Sequence, residues 1–212
     1  SQDLPDTKEL DIGDRHSSNK ILAGHKVLYK GHAIAAVAAS SLHAAKEALS
    51  LIEIDYEVLP SVSNVEDAMK PGAPQLHDEY EGNVAARSQL SLGDIERGFE
   101  EADLVVEREF RTGMVHQGYI EPHSATAWWT PQDKITLWCS SQGHFQIGES
   151  TAKMLGLPAS MIKVVPMEIG GGFGGKTTIY LEPLAVLMSH KTGVPVKITM
   201  SRADVLEATG PT

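Results

Sequence analysis

Residues 170–176 read Gly170-Gly171-Gly172-Phe173-Gly174-Gly175-Lys176, five glycines in six positions followed by a lysine. A glycine held in one conformation costs about 0.5–1 kcal/mol more than alanine within regular structure. A run this dense is expensive unless backbone approaches something closely or takes positive φ. Successive backbone N–H groups exposed in such a loop bind anions. Upstream, residues 161–169 (MIKVVPMEI) read as a strand, and downstream LEPLAVLMSHKTG reads as a helix ended by Gly193. The loop therefore joins a strand to a helix.

Two familiar glycine loops share parts of this pattern. G-x-x-x-x-G-K-[ST] is matched by Gly170, Gly175, Lys176 and Thr177, but no apolar strand ending in aspartate follows. G-x-G-x-x-G aligns on Gly170, Gly172 and Gly175, yet the stretch about 20 residues on is helical around Ser189 instead of a strand ending in an acid. A phenylalanine amid the glycines suits a flat ligand on Phe173 with polar groups on the amides. A ligand-free strand–helix turn is the plain alternative.

Working outward, ATAWWT (125–130) and KITLWCSS (134–141) read as two strands joined at Pro131-Gln132-Asp133. HFQIGESTAKMLGL follows as a helix stopped near Gly156 and Pro158, and VPVKITMSR is a last strand. Closer to the N-terminus, residues 26–40 read as strand, interrupted at Gly31. Ser40 or Ser41 caps a helix bearing Leu42, Ala45, Leu49 and Ile52 on one stripe. LIEIDYEVLP alternates with period two, as does LVVEREFRTG (104–113), and both are expected to be strands. Asn64 and Asp94 sit where short helices start, and Lys70-Pro71-Gly72-Ala73-Pro74 is the natural break between domains.

The chain has 212 residues and a formal charge of −10, which disfavours a nucleic-acid binder or an anionic-membrane binder. No membrane-length apolar run or signal-peptide pattern is present. The single cysteine, Cys139, permits no internal disulfide and fits a reduced cytoplasmic setting. The sequence opens on Ser1 instead of Met, as a processed product or an excised fragment would.

With SSQGHF before the loop and SRADVLEATG after it, GGGFGGK resembles the molybdopterin-binding subunit of the xanthine dehydrogenase and aldehyde oxidase family. KVLYKGHAIAAVAASSLHAAKEALSLIEIDYEVLP resembles the α/β-hammerhead domain that precedes the molybdenum domain, and SLGDIERGFEEADLVVEREFRTGMVHQGYIEPHSATAWW resembles the latter's first strands. The resemblance covers about residues 20–212 and implies an α+β chain. Residues 1–70 would be the C-terminal portion of a hammerhead-like domain, 71–84 a linker and 85–212 the N-terminal part of a molybdopterin-binding domain.

The resemblance further implies a molybdenum cofactor and hydroxylation of a small organic substrate with water-derived oxygen. Electrons would pass to iron–sulfur clusters and FAD on partner domains or subunits. The remaining molybdenum domain would be a further partner, in an assembly expected to be oligomeric. By the same resemblance, Gln142 would donate to an oxo ligand, and Gly171, Gly172, Phe173 and Gly174 would line the cofactor. Glu121, in GYIEPHSA, is the candidate catalytic carboxylate, with a structural role as the equal alternative.

Thr177 stands where purine-oxidising members carry a substrate-touching glutamate, which puts purine specificity in doubt. The chain stops early in the first molybdenum domain and is expected to be inactive alone. A non-catalytic scaffold relative and a P-loop-like nucleotide binder are the alternatives.

The nine histidines give no metal-ligand spacing, and none is assigned to a metal. His144, two residues after Gln142, is a candidate for the cofactor's surroundings. His32 and His43 are expected half-exposed, Trp128, Trp129 and Trp138 in the core, and Cys139 buried and inert. Glu168 and Glu182 are candidates only through nearness to the loop.

Overall fold

A computed structural model describes residues 21–210. Two compact units emerge among the described residues, one comprising residues 21–53 and 114–210, the other residues 54–113.

In the first unit, a four-stranded sheet carries two helices. Its strands are β1 (Ser124–Trp129), β2 (Ile135–Cys139), β3 (Ile162–Pro166) and β4 (Val196–Thr199), in the order β3-β2-β1-β4. β1 pairs antiparallel with β2 and β4, and β2 pairs parallel with β3. The hairpin turn places Asp133 at φ 55°. The parallel pair needs a crossover, supplied by helix α4 (His144–Met154), and β3 returns to β4 through α5 (Glu182–Thr192).

Alternation decides which face is covered. Ala125 and Ala127 of β1 and Ile135, Leu137 and Cys139 of β2 point into one core. Ile147 and Met154 of α4 and Leu184, Ala185 and Val186 of α5 complete it, with Ile21 and Leu22. Gly193, at φ 69°, ends α5 in the left-handed conformation. A short helix that the sequence pattern does not announce, α6 (Arg202–Ala208), follows β4. Its signal is a capping box: Ser201 Oγ accepts from Asp204 N–H and Asp204 accepts from Ser201 N–H.

Helix α1 (Leu42–Ser50) also belongs to this unit, and Ser41 caps it by accepting from Ala44 N–H. Residues 26–40, expected as strand, form no ladder. Gly31 turns the chain at φ 85°, and His32 folds back to accept from Leu28 N–H. His32 is thereby buried, not half-exposed. Trp128 is 42% exposed, against the core expectation, while Trp129 packs on the core edge and donates to Asp133.

The second unit holds two short helices, α2 (Val65–Ala68, capped by Asn64) and α3 (Ile95–Glu100, capped by Asp94). Asn83, at φ 58°, ties its central loop together. Its side chain accepts from Leu76 N–H and donates to Ala68 and Pro74 carbonyls.

Residues 52–60 and 104–113, both expected as strands, pair with nothing among the described residues. Their alternation marks one face of each for burial, yet Val58 is 92% and Phe110 87% exposed. The pattern is legible, but a strand exists only where a partner accepts its ladder. No helix among the described residues is long and apolar enough to cross a membrane.

Candidate functional site

The glycine loop lies between β3 and α5, and two segments bond to it, one at Glu121 before β1 and one at Ser141 and Gln142 after β2. Gln142 N–H donates to the Lys176 carbonyl at 2.9 Å. Its side-chain oxygen accepts from Gly174 N–H and Lys176 N–H, both at 3.1 Å. With the oxygen anchored by two donors, the amide's orientation is set, and Nε2 is left facing outward on an exposed side chain.

A methyl group on Gly172 would fall on the Gln142 carboxamide, so close approach requires glycine there. Gly174 has open space around it but sits at φ 92°, beside Phe173 at φ 49° with its ring 71% exposed. The N–H groups of Gly171, Gly172 and Phe173 make no hydrogen bond among the described residues, whereas Gly170, Gly174, Gly175 and Lys176 all donate. An exposed ring, three unpaired N–H donors and an outward carboxamide fit a flat, polar, anionic cofactor.

Glu121 holds the loop at both ends. Its Oε2 accepts from Gly170 N–H at 2.6 Å and from Lys176 Nζ at 2.7 Å. Burial pushes the Glu121 carboxyl up, but the Lys176 ammonium and the Gly170 N–H outweigh it and hold its pKa below the ordinary range. Lys176 is fully buried at its side chain and lies 5.0 Å from the centre of the Tyr119 ring. In the sequence Lys176 stands out as the end of GGGFGGK and as the lysine of a nucleotide-loop pattern. The structure turns it inward, away from any phosphate on the loop. The start of α5 is also filled, because Glu182 Oε2 accepts from Tyr180 and Leu181 N–H. Burial raises the Glu182 pKa, against those donors. The P-loop reading thus loses both its lysine and its helix N-terminus.

Behind Glu121 lies a polar cluster that the sequence did not reveal. Tyr119 OH meets His123 Nε2 and Thr209 Oγ1, each at 2.8 Å, and His116 Nε2 meets Thr209 Oγ1 at 3.0 Å. Arg202 donates to the carbonyls of Tyr119 and Ile120, fixing α6 to this segment. Burial, reinforced by the Lys176 charge, lowers the His123 pKa to about 4. His116 and His123 thus bond within the protein, and no group of three or more metal-ligating side chains occurs among the described residues. His144 Nε2 is buried without a partner there, close in sequence to Gln142. Cys139 is buried on β2, and burial with the nearby Glu182 charge pushes its thiol up to about 12. Glu168 is exposed and stands apart from these bonds.

Residues 76–212 match the molybdopterin cofactor-binding domain, and residues 1–60 match the a/b hammerhead domain of aldehyde oxidase and xanthine dehydrogenase. The chain is 34% identical over 186 residues to a probable xanthine dehydrogenase subunit from Bacillus subtilis, covering 87% of this chain and 24% of that protein. It is 33% identical over 184 residues to the nicotinate dehydrogenase large molybdopterin subunit of Eubacterium barkeri, covering 86% of this chain and 43% of that protein. Quinoline 2-oxidoreductase from Pseudomonas putida 86 superposes with a TM-score of 0.79 at 29% identity, covering 87% of this chain and 24% of that one. The chain thus spans about a quarter of the length of the Bacillus relative.

Proposed function

The chain belongs to the aldehyde oxidase and xanthine dehydrogenase family of molybdenum oxidoreductases, and we propose that it forms the first cofactor-facing part of a molybdenum hydroxylase. The whole enzyme oxidises a small organic substrate, an aldehyde or N-heterocycle, and the relatives named for xanthine, nicotinate and quinoline support the heterocycle. When bound, the cofactor supplies a redox metal that inserts water-derived oxygen at an electron-poor carbon and accepts the electrons. Iron–sulfur clusters and FAD on partner domains or subunits take them onward, in the reduced cytoplasmic compartment.

The observation that carries this reading is the Gln142 carboxamide, anchored through its oxygen by Gly174 and Lys176 N–H so that its Nε2–H donors face outward. A fixed amide donor suits an oxo ligand, because its dipole is oriented before the reaction begins. Gly171, Gly172 and Gly174 line the cofactor, with Gly171 and Gly172 offering unpaired N–H groups. Phe173 offers a flat apolar wall and shields the site from water. For Glu121, the lowered pKa and the bonds to Gly170 and Lys176 support a role in holding the loop over that of a base. Residues 1–70 serve as the hammerhead portion, 71–84 as linker and 85–212 as the cofactor-facing portion.

The test is molybdenum and extractable pterin in the native holoenzyme containing this chain. About one molybdenum per chain is expected. Gln142→Ala should then lower turnover on the order of a hundred-fold while leaving most of the metal in place. A holoenzyme without molybdenum or pterin, from cells that load other molybdenum enzymes, would sink the reading.

A further inference from the structure

We infer that Lys176 is the positioning residue that sets the Gln142 amide, acting through its own backbone and locked in place by Glu121. Three observations carry this. First, Lys176 grips Gln142 from both sides: its carbonyl accepts from Gln142 N–H at 2.9 Å, and its N–H donates to Gln142 Oε1 at 3.1 Å. Second, its side chain is 0% exposed and reaches a single anion, Glu121 Oε2, at 2.7 Å. Third, that same oxygen accepts from Gly170 N–H at 2.6 Å, so both ends of the glycine loop converge on one atom.

A buried ammonium is a costly way to fill space, and a methionine of similar length would pack the cavity without desolvating a charge. What methionine cannot do is draw a carboxylate. Without that pull, nothing joins residue 176 to the Gly170 end of the loop through Glu121. The backbone that aims Gln142 then keeps only its bonds from Gln142 N–H and Ser141 Oγ to the Lys176 carbonyl and the loop itself, whose glycines resist displacement least. The Tyr119 ring beneath the ammonium, 5.0 Å from its centre, adds a second restraint on the charge. Tyr119 is held in turn by Thr209 and His123. The chain of restraint thus runs from the buried cluster through Lys176 to the amide.

This inference rests on the molybdenum reading for what the amide serves, but not for where the amide sits. The experiment therefore has two readouts on Lys176→Met and Lys176→Arg in the native holoenzyme. One is the crystallographic position of the Gln142 amide. The other is the electron paramagnetic resonance spectrum of the dithionite-reduced metal.

Lys176→Met is expected to lose the bonds from Gly174 and residue 176 to Gln142 Oε1, and to shift the spectrum at full metal content. Lys176→Arg, which keeps the charge, is expected to restore both. A Lys176→Met protein with the amide in place and an unshifted spectrum overturns the inference. An arginine variant as altered as the methionine variant also overturns it. Should Lys176→Met fail to fold, Lys176→Arg decides alone: a folded protein with the amide held supports the role, and a displaced amide or a second folding failure refutes it. If the wild-type holoenzyme holds no molybdenum, the functional reading falls, and the position of the amide in the variants still decides the role of Lys176.

Discussion

The Tyr119 hydroxyl and the His123 imidazole meet at 2.8 Å inside the protein, and the direction of that bond follows from its neighbours. Thr209 Oγ1 gives its proton to the Val205 carbonyl, so it accepts from Tyr119. Tyr119 therefore accepts from His123 Nε2–H. At the far end, His116 Nδ1 accepts from Gly118 N–H and its Nε2–H donates to Thr209. Every proton in this chain of hydrogen bonds is committed.

A pH dependence of stability follows. The His123 pKa in the folded protein is lowered to about 4, while an unfolded histidine titrates near 6.5. Between those values the unfolded chain binds more protons than the folded one, so stability rises with pH. The contribution is complete above about pH 6.5 and is lost as pH falls toward 4, amounting to about 3 kcal/mol. Urea midpoints measured from pH 7 to pH 4 should fall steeply in the wild type and less in His123→Gln, which keeps a donor for Tyr119. Parallel slopes for the two proteins would remove His123 as the source.

The glycines of the loop are required for different reasons, and substitution separates them. An alanine at Gly172 drives its methyl into the Gln142 carboxamide, so Gly172→Ala should displace the amide and lower turnover on the order of a hundred-fold, with most of the metal retained. At Gly174 the space is open but φ is 92°, so Gly174→Ala should cost about 1–2 kcal/mol through the backbone while leaving Gln142 in place. Turnover per molybdenum, set beside thermal stability, distinguishes the two. Equal loss of turnover in both would mean that Gly172 is not the contact point.

Cys139 bears on the chemistry by staying out of it. Its thiol is buried on β2 and pushed up to about 12, so almost none is thiolate at neutral pH. A thiol reagent such as dithiobis-nitrobenzoate should modify Cys139 only as fast as the protein unfolds. Rapid modification of the native protein would contradict the burial.

Much of the sheet was legible in the sequence because its strands carry both signals at once. Ile135, Leu137 and Cys139 alternate, and their ladder partners lie in the same chain. Residues 52–60 alternate as clearly and form no strand, because periodicity reports a face to be buried and not the presence of a neighbour. The site divided in the same way. The glycine run and Gln142 stand out by composition and motif. The Tyr119–His123–Thr209–His116 cluster joins positions up to 93 residues apart through single hydrogen bonds, which leave no local pattern. Lys176 was visible as a residue, but its inward direction is set by Glu121, 55 positions away.

Helix α6 shows what a cap contributes when little else holds a helix. Only Val205 of its seven residues is buried, and Ser201 with Asp204 closes its first turn. Ser201→Ala should cost about 1 kcal/mol. Because Arg202 of the same helix bonds the Tyr119 and Ile120 carbonyls, the loss should also loosen Tyr119. Hydrogen exchange at Val205 N–H, which bonds Ser201, and at Gly118 N–H, which bonds His116, should quicken together. Faster exchange at Val205 alone would uncouple the cap from the cluster.

The second unit predicts how the isolated 212-residue chain behaves in solution. Leu90 is 93% exposed, Leu92 90%, Leu104 80% and Phe110 87%, all within a stretch that forms no ladder. Extended backbone with free hydrogen-bonding groups and uncovered apolar side chains is a template for pairing with another chain. The net charge of −10 opposes association at low ionic strength, and salt screens that repulsion. Light scattering on the isolated chain should therefore show a mass that grows with protein concentration and grows further when salt is raised from 50 to about 500 mM. Leu90→Lys with Phe110→Lys should shift the distribution back toward monomer, by placing charge on the exposed face. A monodisperse monomer at every salt concentration would mean that these side chains find cover within their own chain.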